Sequence, residues 1–405
     1  VPSPEGGTPR RILLADCDSY FVRCAMLADP EGAGKAELLI VGGRADARGV
    51  VTSASYAARA FGVHAGMPMA AAVRLCPRAM VVPVPSEMVG AKHREVRAVL
   101  DRFAPVVEAA SVDEFYLDLT GTERLYHHEP LEETARRIQA AVLEETGIAL
   151  SLGGATQRIL AKIAASVRKP MGVFVVPPGG EGEFMRGFAL ADIPGIGPAF
   201  TEKLHQRGVV TVADVLALDE ATLRLWLGDS RGRWLHSVAR GRDPSAVSER
   251  APQKSVSHER TFARDLVTDD EIEARLLALA TETGASLRDS GHRARTVTVR
   301  VRDADFTDRS ASRTLPEPLE SDRALWAVAR ELLHSLRARH RGGVRLLGVG
   351  VSKLVREGED DLVLFADQAV ETERDRKLAE ATDRLRERFG KGTVVPGRIV
   401  RRPGS

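Results

Sequence analysis

Apolar positions along the chain follow two periods. Short, nearly unbroken apolar runs at 11–15, 38–41, 50–53, 106–110 and 149–154 predict buried strands. Apolar residues at helical spacing predict helices from 19 onward and over 56–62, 91–103 and 131–146. Further helices are expected over 159–165, 199–207, 269–287 and 326–340, and 374–389 reads as an exposed, charge-laced helix. Residues 295–302 alternate cleanly, which puts Val297, Val299 and Val301 on one face of a strand and Thr298, Arg300 and Arg302 on the other. A second strand is expected at 345–352. Strands interleaved with helices make the chain an α/β protein of several domains.

The stretch Ser111-Val112-Asp113-Glu114-Phe115-Tyr116-Leu117-Asp118-Leu119-Thr120 breaks the apolar pattern. It reads as a strand entering and leaving a tight acidic turn. The neighbouring carboxylates of Asp113 and Glu114 repel unless a cation lies between them, and an all-carboxylate oxygen site suits Mg²⁺ or Mn²⁺. A solvated acidic turn is the plain alternative. Asp16, at the end of the first apolar run, is either a third carboxylate for that turn or the cap of the following helix. Tyr20 and Phe21, taken as isolated aromatics, are more often core residues than ligand contacts. Tyr56 and Arg59 share a helix face, as a phosphate site or as a surface cation–π pair. Lys162 lies in an apolar helix and either snorkels to solvent or reaches an anion.

Composition narrows the choices. With 405 residues, two to four domains are expected. A net charge of +2 announces no polyanion partner for the chain as a whole, so a basic surface must be local. Cys17, Cys24 and Cys76 form no metal-ligand cluster and no disulfide framework, which points to a reducing compartment and a cytoplasmic setting. No apolar run approaches the ~18 residues of a membrane span. The opening residues read as a disordered lead-in and 244–253, polar with Pro and Ser, as a linker. Asp192-Ile193-Pro194-Gly195-Ile196-Gly197-Pro198 is a glycine hairpin opening a helix, which resembles a helix-hairpin-helix element gripping a DNA backbone at Gly195 and Gly197, with a plain helix–helix turn as the alternative. A weaker second hairpin stands at 227–232. The Thr298, Arg300 and Arg302 face, extended by Arg337, Arg339, Arg341 and Arg345, suits a nucleic-acid backbone or is an ordinary solvated sheet face.

Taken in order, SYAARAFGVHAGMP, SVDEFYLDLT, LAKIAAS, IPGIGP and KSVSHERTF closely resemble blocks of the Y-family DNA polymerases, of the bacterial DNA polymerase IV type, from about residue 11 to 355. The resemblance implies a right-hand polymerase. Residues 1–10 would be the lead-in, 11–27 and 86–174 the palm, 28–85 the small fingers and 175–247 a helical thumb. A linker would follow at 248–254, then an α/β little finger at 255–356 and a tail at 357–405.

It further implies that Asp16, Asp113, Glu114 and the Cys17 carbonyl hold two Mg²⁺ ions, with Mn²⁺ as a substitute. Arg59, Lys162, Tyr56, Ser53 and Tyr20 would contact the nucleotide, and Phe21 would be the steric gate against a 2′-OH. The implied partners are primer–template DNA and deoxynucleoside triphosphates, with the chain a monomer. Leu362, Leu364 and Phe365 resemble a sliding-clamp-binding peptide. The implied activity is low-fidelity, translesion, template-directed synthesis. Two other readings stand beside it: a non-catalytic relative that binds DNA and clamp, and a structural DNA-binding module. Neither requires Asp16, Asp113 and Glu114 together.

Overall fold

The computed structural model describes residues 9–248, 253–338, 340, 342–356, 370–390, 393–395 and 397. The clamp peptide expected at Leu362, Leu364 and Phe365 lies outside them, as do residues 1–8, most of the linker, Arg339 and Arg341. The chain divides into two compact units, Val1–Ala251 and Pro252–Ser405.

Among the described residues, the first unit carries eight strands: β1 (Ile12–Cys17), β2 (Leu39–Gly42), β3 (Val51–Ala54), β4 (Met80–Val82), β5 (Val106–Ala109), β6 (Glu114–Asp118), β7 (Leu150–Ala155) and β8 (Val173–Val175). Five of them form one sheet in the order β5-β6-β1-β7-β8. β1 is its centre and runs antiparallel to both neighbours. Both faces of β1 are covered, which is why its sequence is an unbroken apolar run. Leu13 and Ala15 pack with Val96, Leu100, Ile138 and Val142 from helices Ser86–Leu100 and Leu131–Thr146. Ile12 and Leu14 pack with Leu160, Ile163 and Ala164 of helix Arg158–Val167 on the other side. That helix lies so close to β7 that a Cβ on Gly153 would fall 2.1 Å from the Ala161 carbonyl oxygen.

The remaining strands form a separate sheet in the order β3-β2-β4, with β4 parallel to β2. The helix expected over 56–62 spans only Tyr56–Arg59, and the chain then turns at Gly62 with φ +85°. Beyond β8 come short helices over Glu181–Arg186, Pro198–His205, Val212–Leu216, Glu220–Leu227 and Asp229–Ala239. Side-chain caps start two of them, from Thr211 onto the Asp214 N–H and from Asp219 onto the Thr222 N–H. Leu204, Val212, Val215, Leu223, Leu235 and Val238 form the interior between them.

The second unit is one antiparallel sheet of β9 (Ser255–Leu266), β10 (His292–Asp303), β11 (Asp308–Leu319) and β12 (Val344–Arg356), in the order β11-β10-β12-β9. Helices Asp269–Asp289 and Asp322–Ala338 cover one face. Val297, Val299 and Val301 are fully buried against them, while Thr298, Arg300 and Arg302 are part-exposed, as the alternation predicts. The tail helix, Glu373–Phe389, is attached through charge. Arg288 bonds Asp383 at 2.6 Å and Asp322 at 2.9 Å, and Glu371 accepts the Ser321 N–H at 2.6 Å.

Among the described residues, no helix is long and apolar enough to cross a membrane.

Candidate active site

The antiparallel ladder between β1 and β6 sets Asp16 directly opposite Glu114. Opposed side chains in such a ladder start about 5 Å apart. The next rung is a main-chain bond, the Cys17 N–H donating to the Asp113 carbonyl at 2.9 Å. Backbone pairing alone therefore brings Asp16, Asp113 and Glu114 to one end of the central strands. The acidic residues stand where a strand begins, with Asp113 in the turn and Glu114 opening β6. The turn thus comes earlier than the strand–turn–strand pattern of the sequence predicts. It is closed by Ser111, whose Oγ donates to Asp113 Oδ1 at 2.5 Å and accepts the Glu114 N–H at 3.1 Å. His93 supports it from behind, with Nδ1 2.8 Å from the Val112 carbonyl oxygen and its ring stacked on Phe115 at 5.1 Å.

Like charges this close disfavour one another. Burial pushes the Asp16 carboxyl above its ordinary range; Lys169 works against the rise, while Glu114 and Asp113 add to it. Two lysines answer the charge. Lys162 donates to both Glu114 oxygens, at 2.9 and 2.7 Å, and Lys169 Nζ stands 2.6 Å from Asp16 Oδ1. Burial works against the Lys162 charge, but the Glu114 carboxylate outweighs it and raises the ammonium pKa. Among the described residues, no three His, Cys, Asp or Glu side chains form a ready metal cage. The donor set is nonetheless hard oxygen throughout, with two half-buried carboxylates each neutralised by a single cation. That chemistry fits Mg²⁺ or Mn²⁺. Cys17 offers only its main-chain oxygen, because its thiol is buried and burial holds it well above the usual thiol range.

Tyr20 is not on the site face. It is 2% exposed and its hydroxyl donates to the Val89 carbonyl at 2.7 Å, so it is a core residue of helix Tyr20–Ala28. Phe21, beside it, is part-buried between the interior of the large sheet and that of the small one. Ser53 is buried on β3, opposite Val41. Tyr56 and Arg59 come together as their spacing predicts, the guanidinium 5.0 Å from the ring centroid, and Arg59 Nε also donates to the Ala54 carbonyl at 2.9 Å. The Tyr56 hydroxyl donates to Asp18 Oδ1 at 3.3 Å.

Lys162 is part-exposed, and the structure places its ammonium on Glu114. Lys169 is a site residue that sequence reasoning misses. Its signal is a lone lysine before proline just beyond an apolar helix.

In the hairpin, Gly195 adopts φ +99° with Trp234 beneath it, and Gly197 precedes helix Pro198–His205. Lys203 and Arg231 line the same depression, two cations that sequence spacing does not associate with the hairpin. In the second unit, Arg300 and Arg302 are less free than a bare phosphate platform needs. Arg300 binds Glu259 at 2.9 Å and Asp308 at 3.2 Å, and Arg302 binds Asp308 at 2.6 Å. Opposed acidic residues on the edge strands β9 and β11 supply this pairing, which the sequence of β10 alone does not disclose.

Three comparisons bear on this geometry. Residues 15–166 match the impB/mucB/samB family, 253–364 its C-terminal domain, and 191–243 a thumb domain described for DNA polymerase-iota. DNA polymerase IV of Dehalococcoides mccartyi strain CBDB1 is 34% identical over 97% of this chain and 98% of its own length. DNA polymerase IV of Caulobacter vibrioides is 35% identical over 95% and 93%. A chimera of the Y-family DNA polymerases Dbh and Dpo4 has a similar fold, with TM-score 0.77 and 26% identity over 85% of this chain and 99% of that one. An insertion ternary complex of Dbh DNA polymerase gives TM-score 0.59 over the same shares. The chain belongs to the Y-family DNA polymerases, in the group of the bacterial DNA polymerase IV proteins.

Proposed function

We propose that the corner formed by Asp16, Asp113 and Glu114 is where this DNA-directed DNA polymerase of the translesion type joins a deoxynucleotide to a primer 3′ end. The observation that carries the proposal is the β1–β6 register, which brings Asp16 to the adjacent pair Asp113 and Glu114 from a distant part of the chain. The site would hold two Mg²⁺ ions through those carboxylates and the Cys17 carbonyl. When bound, such ions lower the pKa of the attacking hydroxyl and stabilise charge on the phosphoryl oxygens.

The protein's own groups do the rest. Lys162 and Lys169 are cations already stationed on Glu114 and Asp16. An arriving triphosphate offers them stronger partners, and both stems are long enough to turn toward it. Arg59 and Tyr56 present a guanidinium and a hydroxyl from the small-sheet side, and Ser53 lies two residues before the Ser55 cap of their helix. Phe21 would lie under the sugar and exclude a 2′-oxygen. The palm, fingers, thumb and little-finger boundaries given above apply to this reading. Gly195, Gly197, Lys203 and Arg231 would hold duplex backbone in a sequence-independent way, as would Thr298, Arg300 and Arg302. A sliding clamp would engage Leu362, Leu364 and Phe365, and the chain would act as a monomer in the cytoplasm. The non-catalytic alternative is not favoured by relatives that are DNA polymerase IV proteins over nearly the whole chain.

Single-nucleotide incorporation on a primed template, with and without Mg²⁺, tests the proposal. Templated extension that requires Mg²⁺ is the expected result; DNA binding without extension would overturn it.

A further inference from the structure

Asp18 is a buried carboxylate that the chemistry above does not use. It lies just beyond β1 and is 7% exposed. Its charge is answered by neutral donors. Ser151 Oγ lies 2.9 Å from both of its oxygens, the Met171 N–H donates to Oδ2 at 2.8 Å, and the Tyr56 hydroxyl donates to Oδ1 at 3.3 Å. A buried carboxylate persists only when such donors surround it.

The donors come from three separate parts of the first unit. Ser151 belongs to β7 and fixes the carboxylate to the central sheet. Met171 belongs to the turn after helix Arg158–Val167 and sits at φ +54°, a left-handed conformation that costs a side-chain-bearing residue about 1–2 kcal/mol. Its N–H is held by Asp18 and its carbonyl by Gln139 Nε2 at 3.0 Å. Lys169, the cation on Asp16, is carried by that same turn. Tyr56 opens the helix that carries Arg59. One carboxylate thus joins the palm-side lysine turn to the helix bearing Tyr56 and Arg59.

We infer that Asp18 is a positioning residue for the incoming triphosphate: it fixes the separation between the Lys169 turn and the Tyr56 hydroxyl before the nucleotide arrives. The inference rests on the reading of Tyr56 and Lys169 as triphosphate contacts. Groups set in place beforehand lose less freedom on binding, and a misplacement of about 1 Å is costly. The Tyr56 O–H, which donates to Asp18 in the free protein, turns to the phosphate when the nucleotide arrives.

The test measures equilibrium binding of the correct deoxynucleotide to the full chain on a primer–template ended with a dideoxynucleotide, so that no reaction occurs. Asp18→Asn should weaken nucleotide binding by about 10- to 100-fold, in the range for losing hydrogen bonds to a charged group, with primer–template affinity unchanged. Tyr56→Phe and Lys169→Ala should each weaken it in the parent chain, and Tyr56→Phe should add less than about twofold in the Asp18→Asn background. If neither Tyr56→Phe nor Lys169→Ala changes nucleotide affinity, the underlying reading of the site fails. If both do and Asp18→Asn binds nucleotide as the parent does, the inference fails. A purely structural role would lower the folded fraction and leave the affinity of the remainder intact. Should Asp18→Asn not fold, Ser151→Ala removes one donor and keeps the carboxylate; unchanged nucleotide affinity in that variant also overturns the inference.

Discussion

Asp16 and Glu114 occupy the same rung of the antiparallel pairing between β1 and β6. Side chains in a strand alternate between faces, so a slip of one residue would send one of the two carboxylates to the opposite face. The register is locked by what lies behind it. Leu13 pairs with Leu117 and Ala15 with Phe115, all fully buried. The convergence of the two carboxylates therefore depends on a hydrophobic fit on the opposite face of the same strands.

Asp113→Ala and Glu114→Ala should each cut templated extension at least about a hundredfold. Primer–template binding should persist, since neither residue holds the fold. Glu114→Ala also frees Lys162 from its ion pair, so its DNA affinity should rise slightly rather than fall. Gel-shift and single-turnover extension on the same preparations check both statements, and undiminished extension would remove these residues from the chemistry.

Phe21→Ala should admit ribonucleotides. Phe21 is only part-buried, and Tyr20, Val22, Cys24 and Ala25 supply the buried side of that helix. Loss of the ring should therefore open space at a cost below the ~3–5 kcal/mol of a fully buried phenylalanine. The ratio of deoxy- to ribonucleotide incorporation should fall at least about tenfold, and an unchanged ratio would remove the gate assignment.

The central strands, the long helices and the acidic stretch are legible because burial on both faces or on one face writes a clear period into the sequence. Leu131–Thr146 follows the helical spacing to its ends, and β10 alternates as expected. β11 is invisible in the sequence. Its residues, DRSASRTLPEPL, belong to an edge strand with two prolines and mostly polar side chains, where pairing is settled by the neighbour. The site is legible in its acidic residues and less so in its cations. Which lysine meets which carboxylate depends on how helix Arg158–Val167 and its following turn pack on the sheet, and Lys162 and Lys169 are equally lysines on paper. Asp18 looks like part of an acidic pair, yet its partners are 38, 133 and 153 residues away. The tail helix hides its docking because salt bridges, not an apolar stripe, attach it.

Glu259→Gln and Asp308→Asn should tighten DNA binding. These carboxylates occupy the guanidinium forks of Arg300 and Arg302 on the open face of the sheet. Exposed pairs of this kind contribute little to stability, about 0–1 kcal/mol, so removal should leave folding intact. A freed arginine can neutralise one more phosphate, and the dependence of affinity on salt should steepen by about one unit for each arginine that does so. Affinity measured across a salt series reports this; an unaltered slope would show that the arginines never meet phosphate.

Glu371→Gln should loosen the tail helix. The Glu371 carboxylate is 7% exposed, accepts the Ser321 and Glu320 N–H groups at 2.6 and 3.0 Å, and bonds Arg376 Nε at 2.8 Å. Burial works to raise its pKa, but these donors outweigh burial and hold it below the usual glutamate value. A carboxyl depressed on folding stabilises the folded state above its unfolded pKa, and the contribution is lost as pH falls through the folded value. The contribution is therefore full at pH 7 and fades below about pH 4. Charged hydrogen bonds of this type contribute about 2 kcal/mol, which corresponds to roughly 30-fold faster amide exchange in the helix when one is lost. At pH 7, exchange across Glu373–Phe389 should be faster in the variant by about that factor, and with acidification the two proteins should converge. A gap that stays constant with pH would mean that the charge of Glu371 does not hold the helix. Since Asp383 bonds the same helix to Arg288 at 2.6 Å, the variant should loosen the N-terminal turns before the C-terminal ones.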